Sequence, residues 1–118
     1  MTFRELVAPD ALESLEIFGV EPVVPEPGST VRMLDFDVDD LNSVRFSYDV
    51  VGRSVRVLWK IGDRVALELF REGAVRIGFR EDGDRASIDV DFETDSLAGS
   101  IEVKVAPEVQ IKDNLLFG

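Results

Sequence analysis

The chain contains no histidine and no cysteine in 118 residues. Without histidine it lacks the side chain that most often serves as a general base near neutral pH, and without either it lacks the usual ligands of transition metals. No thiol nucleophile and no disulfide are possible, so nothing argues for an oxidising compartment and a cytoplasmic protein is expected. No apolar run approaches the ~18 residues of a membrane span. The first residues, Met1 to Leu6, lack an apolar signal segment with a small-residue cleavage site. Cations are scarce as well: 13 Lys and Arg stand against 24 Asp and Glu, for a formal net charge of −11. A phosphate-binding surface draws most of its affinity from cations, so this balance argues against nucleic acid as a ligand. The same excess would steer a basic protein toward the chain, beside its plain use in solubility.

What is present reads as one folded α+β domain spanning 1–118. Residues 1–19 read as helical. Thr2-Phe3-Arg4-Glu5 has capping-box spacing, Pro9-Asp10 can restart a helix, and Gly19 is a natural stop. Leu12, Leu15 and Phe18 recur at threefold spacing opposite Glu13 and Glu16, a stripe expected to enter the core. Residues 20–29 hold Pro22, Pro25 and Pro27, which exclude helix and central strand alike and indicate an extended crossover.

Residues 30–106 alternate apolar and polar side chains almost without a break, which predicts about seven antiparallel strands with one wet face. The inward sets are Leu34/Phe36/Val38, Val44/Phe46/Tyr48/Val50, Val55/Val57/Trp59/Ile61, Val65/Leu67/Leu69, Val75/Ile77/Phe79, Ala86/Ile88/Val90/Phe92 and Ile101/Val103/Val105. Short turns between them, among them Gly52-Arg53 as type II′ and Asp82-Gly83 as type I′, predict an up-and-down meander. Apolar matching then places Phe36 opposite Phe46, Phe46 opposite Trp59, Leu67 opposite Ile77, Ile77 opposite Ile88 and Val90 opposite Val103. These registers bring together Asp37 and Arg45, Asp49 and Arg56, Glu68 and Arg76, Arg76 and Asp89, and Asp89 and Lys104. Seven strands span roughly 30 Å, whereas a ten-residue helix is about 15 Å long and cannot cover them. The sheet must therefore curl, close, fold into two layers or dimerise. Strong curling around the helix, as a half-barrel or barrel-like sheet, is the favoured form. The C-terminal segment 107–118, with Val109, Ile111 and Leu115-Leu116-Phe117, would add a short edge strand and an apolar plug.

Candidate sites are surfaces rather than reactive centres. Asp35, Asp37, Asp39 and Asp40 open like a calcium loop, but the glycine and glutamate that such a loop needs at positions six and twelve are Asp40 and Phe46. No metal or cofactor is expected. A second acidic stripe, Asp89, Asp91, Glu93 and Asp95, follows the sixth strand, with Asp91 opposite Glu102. Both stripes are candidates for meeting a basic protein. On the wet face Met33, Leu58 and Phe70 interrupt the polar pattern near Arg45, Arg56 and Lys60, and apolar residues ringed by arginine also describe a contact patch. The serines have no histidine to activate them and there is no phosphate-cradling glycine loop, so the reading is non-enzymatic.

In being small, acidic, α+β and free of catalytic motifs, the chain resembles the bacterial immunity proteins that neutralise polymorphic or contact-dependent toxins. The resemblance spans the whole chain and carries no residue with it. It implies a non-catalytic module, a monomer or homodimer, that covers the active site of a basic toxin domain, such as a nuclease. Neither nucleic acid nor membrane would be a partner. Two other readings stand beside it: a carrier of a small apolar ligand inside a curved sheet, and a self-associating structural subunit.

Overall fold

A computed structural model describes residues 6–95 and 97–117, with backbone only at 97 and 115–117. One helix, α1 (Ala11–Phe18), is followed by eight strands: β1 (Val31–Asp37), β2 (Asn42–Asp49), β3 (Ser54–Ile61), β4 (Arg64–Glu72), β5 (Ala74–Asp82), β6 (Arg85–Glu93), β7 (Leu97–Ala106) and β8 (Gln110–Phe117). The strands form two antiparallel four-stranded sheets, β1-β2-β3-β4 and β5-β6-β7-β8. Both contribute inward side chains to one core, with Leu34, Phe46 and Val57 from the first and Ile88, Val90 and Val103 from the second fully buried. The expected continuous seven-stranded half-barrel is thus replaced by two open layers. Each sheet buries its apolar face against the other, so no helix has to span the width.

The break falls at Gly73, between two strands expected to pair. Rather than closing a hairpin, Gly73 takes φ +90° and turns the chain from one sheet to the other. Its N–H and that of Ala74 both donate to the Arg53 carbonyl, at 2.9 Å each, while its own carbonyl accepts from Glu93 N–H at 2.9 Å. The proposed pairing of Leu67 with Ile77 and of Glu68 with Arg76 therefore does not occur.

Within each sheet most core side chains lie on the expected face and the registers differ by two residues. Val50, Ile61 and Val65, expected inward, are exposed, the last two beyond a bulge at Trp59/Lys60, and a second bulge buries Ala74 in place of Val75. Phe46 faces Leu34 and Val57, Val44 faces Trp59, and Ile88 faces Phe79 and Val103. The turns account for much of the shift. A four-residue loop replaces the two-residue Gly52-Arg53 turn, held by the Asp49 carboxylate, which accepts from the N–H groups of Val51 and Gly52. The β5–β6 turn is Gly83-Asp84, with Gly83 at φ +64°, the residue order of a type II′ hairpin rather than the expected Asp82-Gly83.

The helix is shorter than 1–19. Asp10 caps it by accepting from Glu13 N–H at 2.9 Å, and Gly19 N–H closes it on the Leu15 carbonyl. The capping box at Thr2–Glu5 lies outside the described residues. Ahead of the helix, Val7 forms a parallel bridge to β5. The inward face is Ser14 and Phe18, whose ring meets Phe36 of one sheet and Phe79 of the other edge-on at 5.2 and 5.0 Å. Leu12 and Leu15, expected in the core, are 61% and 41% exposed. A two-turn helix lying across the β1 and β5 edges reaches the core with one ring, while Leu12 and Leu15 face out and Ile17 is half-buried. The C-terminal strand β8 is eight residues long rather than a short edge piece. The plug expected from Leu115-Leu116-Phe117 rests on side chains outside the described ones.

Candidate functional site

The register of the first sheet arranges its outer side chains in rows. Met33, Ser47, Arg56 and Phe70 lie opposite one another across β1 to β4, and Asp35, Arg45, Leu58 and Glu68 form the next row. Asp37, Ser43 and Lys60 continue toward one end, and Val31, Asp49, Ser54 and Glu72 toward the other. The structure thus gathers Met33, Arg56, Leu58 and Phe70 on one face and sets Asp35 and Asp37 beside them. Phe70 is 51% exposed, with the Arg56 guanidinium 4.9 Å from its ring centre. Five carboxylates (Asp35, Asp37, Asp49, Glu68, Glu72) share this face with three cations (Arg45, Arg56, Lys60).

Two depressions open on this face. One of about 370 Å³ is lined by Asp35, Asp37, Ser43, Arg45, Leu58 and Lys60. The other, about 270 Å³, is lined by residues that include Ser47, Asp49, Arg56 and Phe70. The expected pair of Asp37 with Arg45 is replaced by a forked one: Arg45 Nε and Nη2 donate to the two Asp35 oxygens at 2.7 and 3.3 Å. Hydrogen bonding to Asp35, then its charge, raises the Arg45 pKa. Arg56 likewise donates to Glu68 at 3.0 Å, not to Asp49. Exposed pairs of this kind contribute about 0.2–1 kcal/mol each. The Arg56–Glu68 pair also holds that guanidinium over the Phe70 ring. Asp39 has a turn to keep: it accepts from the N–H groups of Leu41 and Asn42, bonds that hold its carboxyl below the ordinary value. Asp40 is exposed beside it.

The β6 stripe lies on the outer face of the other sheet. Asp91 receives Arg76 Nε at 2.7 Å, so Arg76 meets Asp91 rather than Asp89. Asp89, placed opposite Glu102 in the ladder, is held by Arg80 at 3.0 Å. The latter replaces the expected pairing with Lys104, which lies 3.7 Å from Glu108. Glu93 and Asp95 are exposed. Burial pushes the Asp89 carboxyl above its ordinary value, with Glu102 adding to the shift and Arg80 opposing it. The folded protein therefore holds that proton more tightly than the unfolded chain. Ionising Asp89 costs stability at neutral pH, and the cost vanishes as pH falls through the raised value. Asp89→Asn is expected to raise the unfolding free energy in urea titrations at neutral pH slightly, by less than about 1 kcal/mol. The gain should disappear in acid, and a loss at neutral pH would show that Arg80 outweighs burial.

Sequence reasoning set Arg45 and Lys60 beside this patch and missed Glu68, which it paired with Arg76. Only the true register turns the wet-side position of Glu68 into a neighbour of Arg56. It also missed Val23, which pairs with Met33 through reciprocal N–H···O bonds of 2.8 and 2.9 Å and so extends the Met33 row onto the crossover. Of the two aromatics with polar atoms, Trp59 donates from Nε1 to Asn42 at 3.0 Å. Burial raises the Tyr48 pKa. Among the described residues no three His, Cys, Asp or Glu side chains converge as a metal site, and no helix is long and apolar enough to cross a membrane.

No protein-family model matches the sequence, and no curated protein matches it significantly. Among solved structures, the chain is similar to one chain of the contact-dependent growth inhibition toxin–immunity protein complex from Klebsiella pneumoniae 342. The TM-score is 0.83 at 23% identity, over 97% of this chain and 100% of that one. At that identity the likeness is one of fold.

Proposed function

We propose that this chain is the immunity component of a toxin–immunity pair, a non-enzymatic protein that neutralises a cognate toxin domain by binding it. The observation that carries this reading is the fold shared end to end with a chain of such a complex. That complex has two kinds of chain, and composition decides between them here. The absence of histidine and cysteine and the net charge of −11 suit a cover for a basic cleft better than the cleft itself. A nuclease is the toxin such a cover fits.

The docking surface in this reading is the outer face of the first sheet. Met33, Leu58, Phe70 and Arg56 supply apolar and guanidinium anchors, and Asp35, Asp37, Asp39 and Asp40 frame them with negative charge. Residence time would come from the anchors and encounter rate from the carboxylates. The β6 carboxylates support this role less, because Asp89 and Asp91 are already engaged by arginines on the opposite sheet's outer face.

The test is co-expression with the C-terminal domain of the large secreted protein expected directly upstream of the coding region. This chain alone should leave growth unchanged, restore growth in cells making that domain, and bind it in calorimetry. Phe70→Ser combined with Arg56→Ser should weaken binding by about tenfold or more. A chain that arrests growth by itself, or that neither binds nor protects, would overturn the proposal.

A further inference from the structure

We infer that the surface formed by α1 and the crossover is a docking site for a basic amphipathic segment of a partner protein. Between Arg4 and Arg32 the chain has no cation, and from Asp10 to Glu26 it carries five carboxylates. None of Glu13, Glu16, Glu21 and Glu26 is ion-paired with a described residue. Acidity alone would be only a solvated surface, but here it surrounds exposed apolar side chains. Leu12 and Leu15, three residues apart on the outer face of α1, and Val23 and Val24 on the crossover are all exposed. They make up four of the eleven large apolar side chains exposed among the described residues.

These groups are held together. Asp10 and Ala11 at the start of the helix and Pro22 of the crossover line one depression of about 350 Å³, floored by Leu6 and Tyr48. The depression brings the start of α1 beside the crossover, the two segments that carry the exposed apolar residues. The one cation lining it, Arg32, donates to the carbonyls of Ser29 and Val31. The platform is fixed, since Phe18 is wedged between Phe36 and Phe79 and Val23 is bonded to β1. The bridge to Met33 also makes this surface continuous with the outer face of the first sheet. Exposed apolar side chains interspersed with carboxylates unpaired by any described cation match a segment that presents apolar side chains among lysines or arginines. The inference does not depend on the partner being a toxin.

The probe is a synthetic amphipathic peptide of leucine and lysine, titrated into the ¹⁵N-labelled full chain, with a leucine–glutamate peptide of the same pattern as control. Shifts should concentrate on residues 10–24 and Met33, and the control should not bind. Leu12→Ser with Leu15→Ser should weaken the lysine peptide by roughly tenfold and leave Tm unchanged, because both side chains are exposed. Phe70→Ser should leave this binding unaltered. Absence of binding, shifts centred on β6 or spread evenly, or indifference to the leucine substitutions would each overturn the inference, whatever happens with the toxin domain.

Discussion

Gly73→Val lowers the unfolding free energy by about 3–5 kcal/mol, the sum of backbone strain at positive φ and overpacking. Gly73 sits at φ +90°, where side chains with a Cβ are strained. A Cβ built there would come within 2.7 Å of Thr94 Cγ2. The surroundings give little room to move away. The Gly73 and Ala74 N–H groups are tied to Arg53 and the Gly73 carbonyl to Glu93, so a shifted backbone would break bonds to both sheets. Gly73→Ala, which adds one carbon, should cost less, and a β-branched residue should cost most. Urea denaturation of both variants beside the parent measures the ladder. A loss under about 1 kcal/mol for valine would mean that the corner relaxes freely, against the strain expected at such a φ.

The second large effect lies two residues before Gly73, where β4 meets β8 of the other sheet. Arg71 of β4 donates through both Nη atoms to Asp113 of β8, at 2.7 and 2.6 Å, and its guanidinium stands 5.3 Å from the Phe92 ring centre. This forked pair joins the two sheets at edges that share no backbone hydrogen bonds. Arg71→Ala leaves Asp113 without its partner and bares one face of Phe92. With Asp113 partly open to water, the expected loss is about 2–3 kcal/mol, below the range for a fully buried pair. Hydrogen bonding to Arg71 holds the Asp113 carboxyl below its ordinary value of 3.8. That contribution is present above the ordinary value and drains away as pH falls through the depressed one. The stability gap between the parent and Arg71→Ala should therefore narrow on acidification. Asp113→Asn should show a smaller loss and lack that part of the pH dependence. A gap constant across the acid range would show that Arg71 acts through Phe92 rather than through charge.

The sequence made some features of this fold legible and concealed others for definite reasons. Alternation with period two identifies the inward side chains, and Phe46, Ile88, Val90 and Val103 are buried as it requires. Asp10 and Gly19 announce the helix ends through local chemistry. Register was not legible, although apolar and charge matching had agreed. In β1 aspartates recur at every second position, so a slip of two exchanges Asp37 for Asp35 beside Arg45 and satisfies both criteria there. At β6–β7 the true register sets Asp89 against Glu102 and defeats the charge criterion. Nor does alternation record where one sheet stops, because β4 and β5 run on through Glu72-Gly73-Ala74 like a hairpin. Only the backbone conformation at Gly73 and its bond to Arg53 mark the corner.

The candidate site was legible in its parts. Met33, Arg56 and Phe70 stand in one row because three wet-side positions of three strands happen to align, which no single strand reveals. The outward Leu12 and Leu15 were hidden for the opposite reason. Threefold spacing predicts a buried stripe, yet here the α1 residues that turn inward are Ser14 and Phe18.

Each sheet is assembled entirely from strands adjacent in the chain, and this bears on how the protein is born. Pairings between near neighbours close small loops, which favours rapid folding for an all-neighbour β topology. The first four strands are complete at Glu72, so on the ribosome that half can gather its ladder while later residues are still being added. Its apolar side then waits uncovered until β5 to β8 emerge, and this interval is when the nascent chain is most exposed to aggregation.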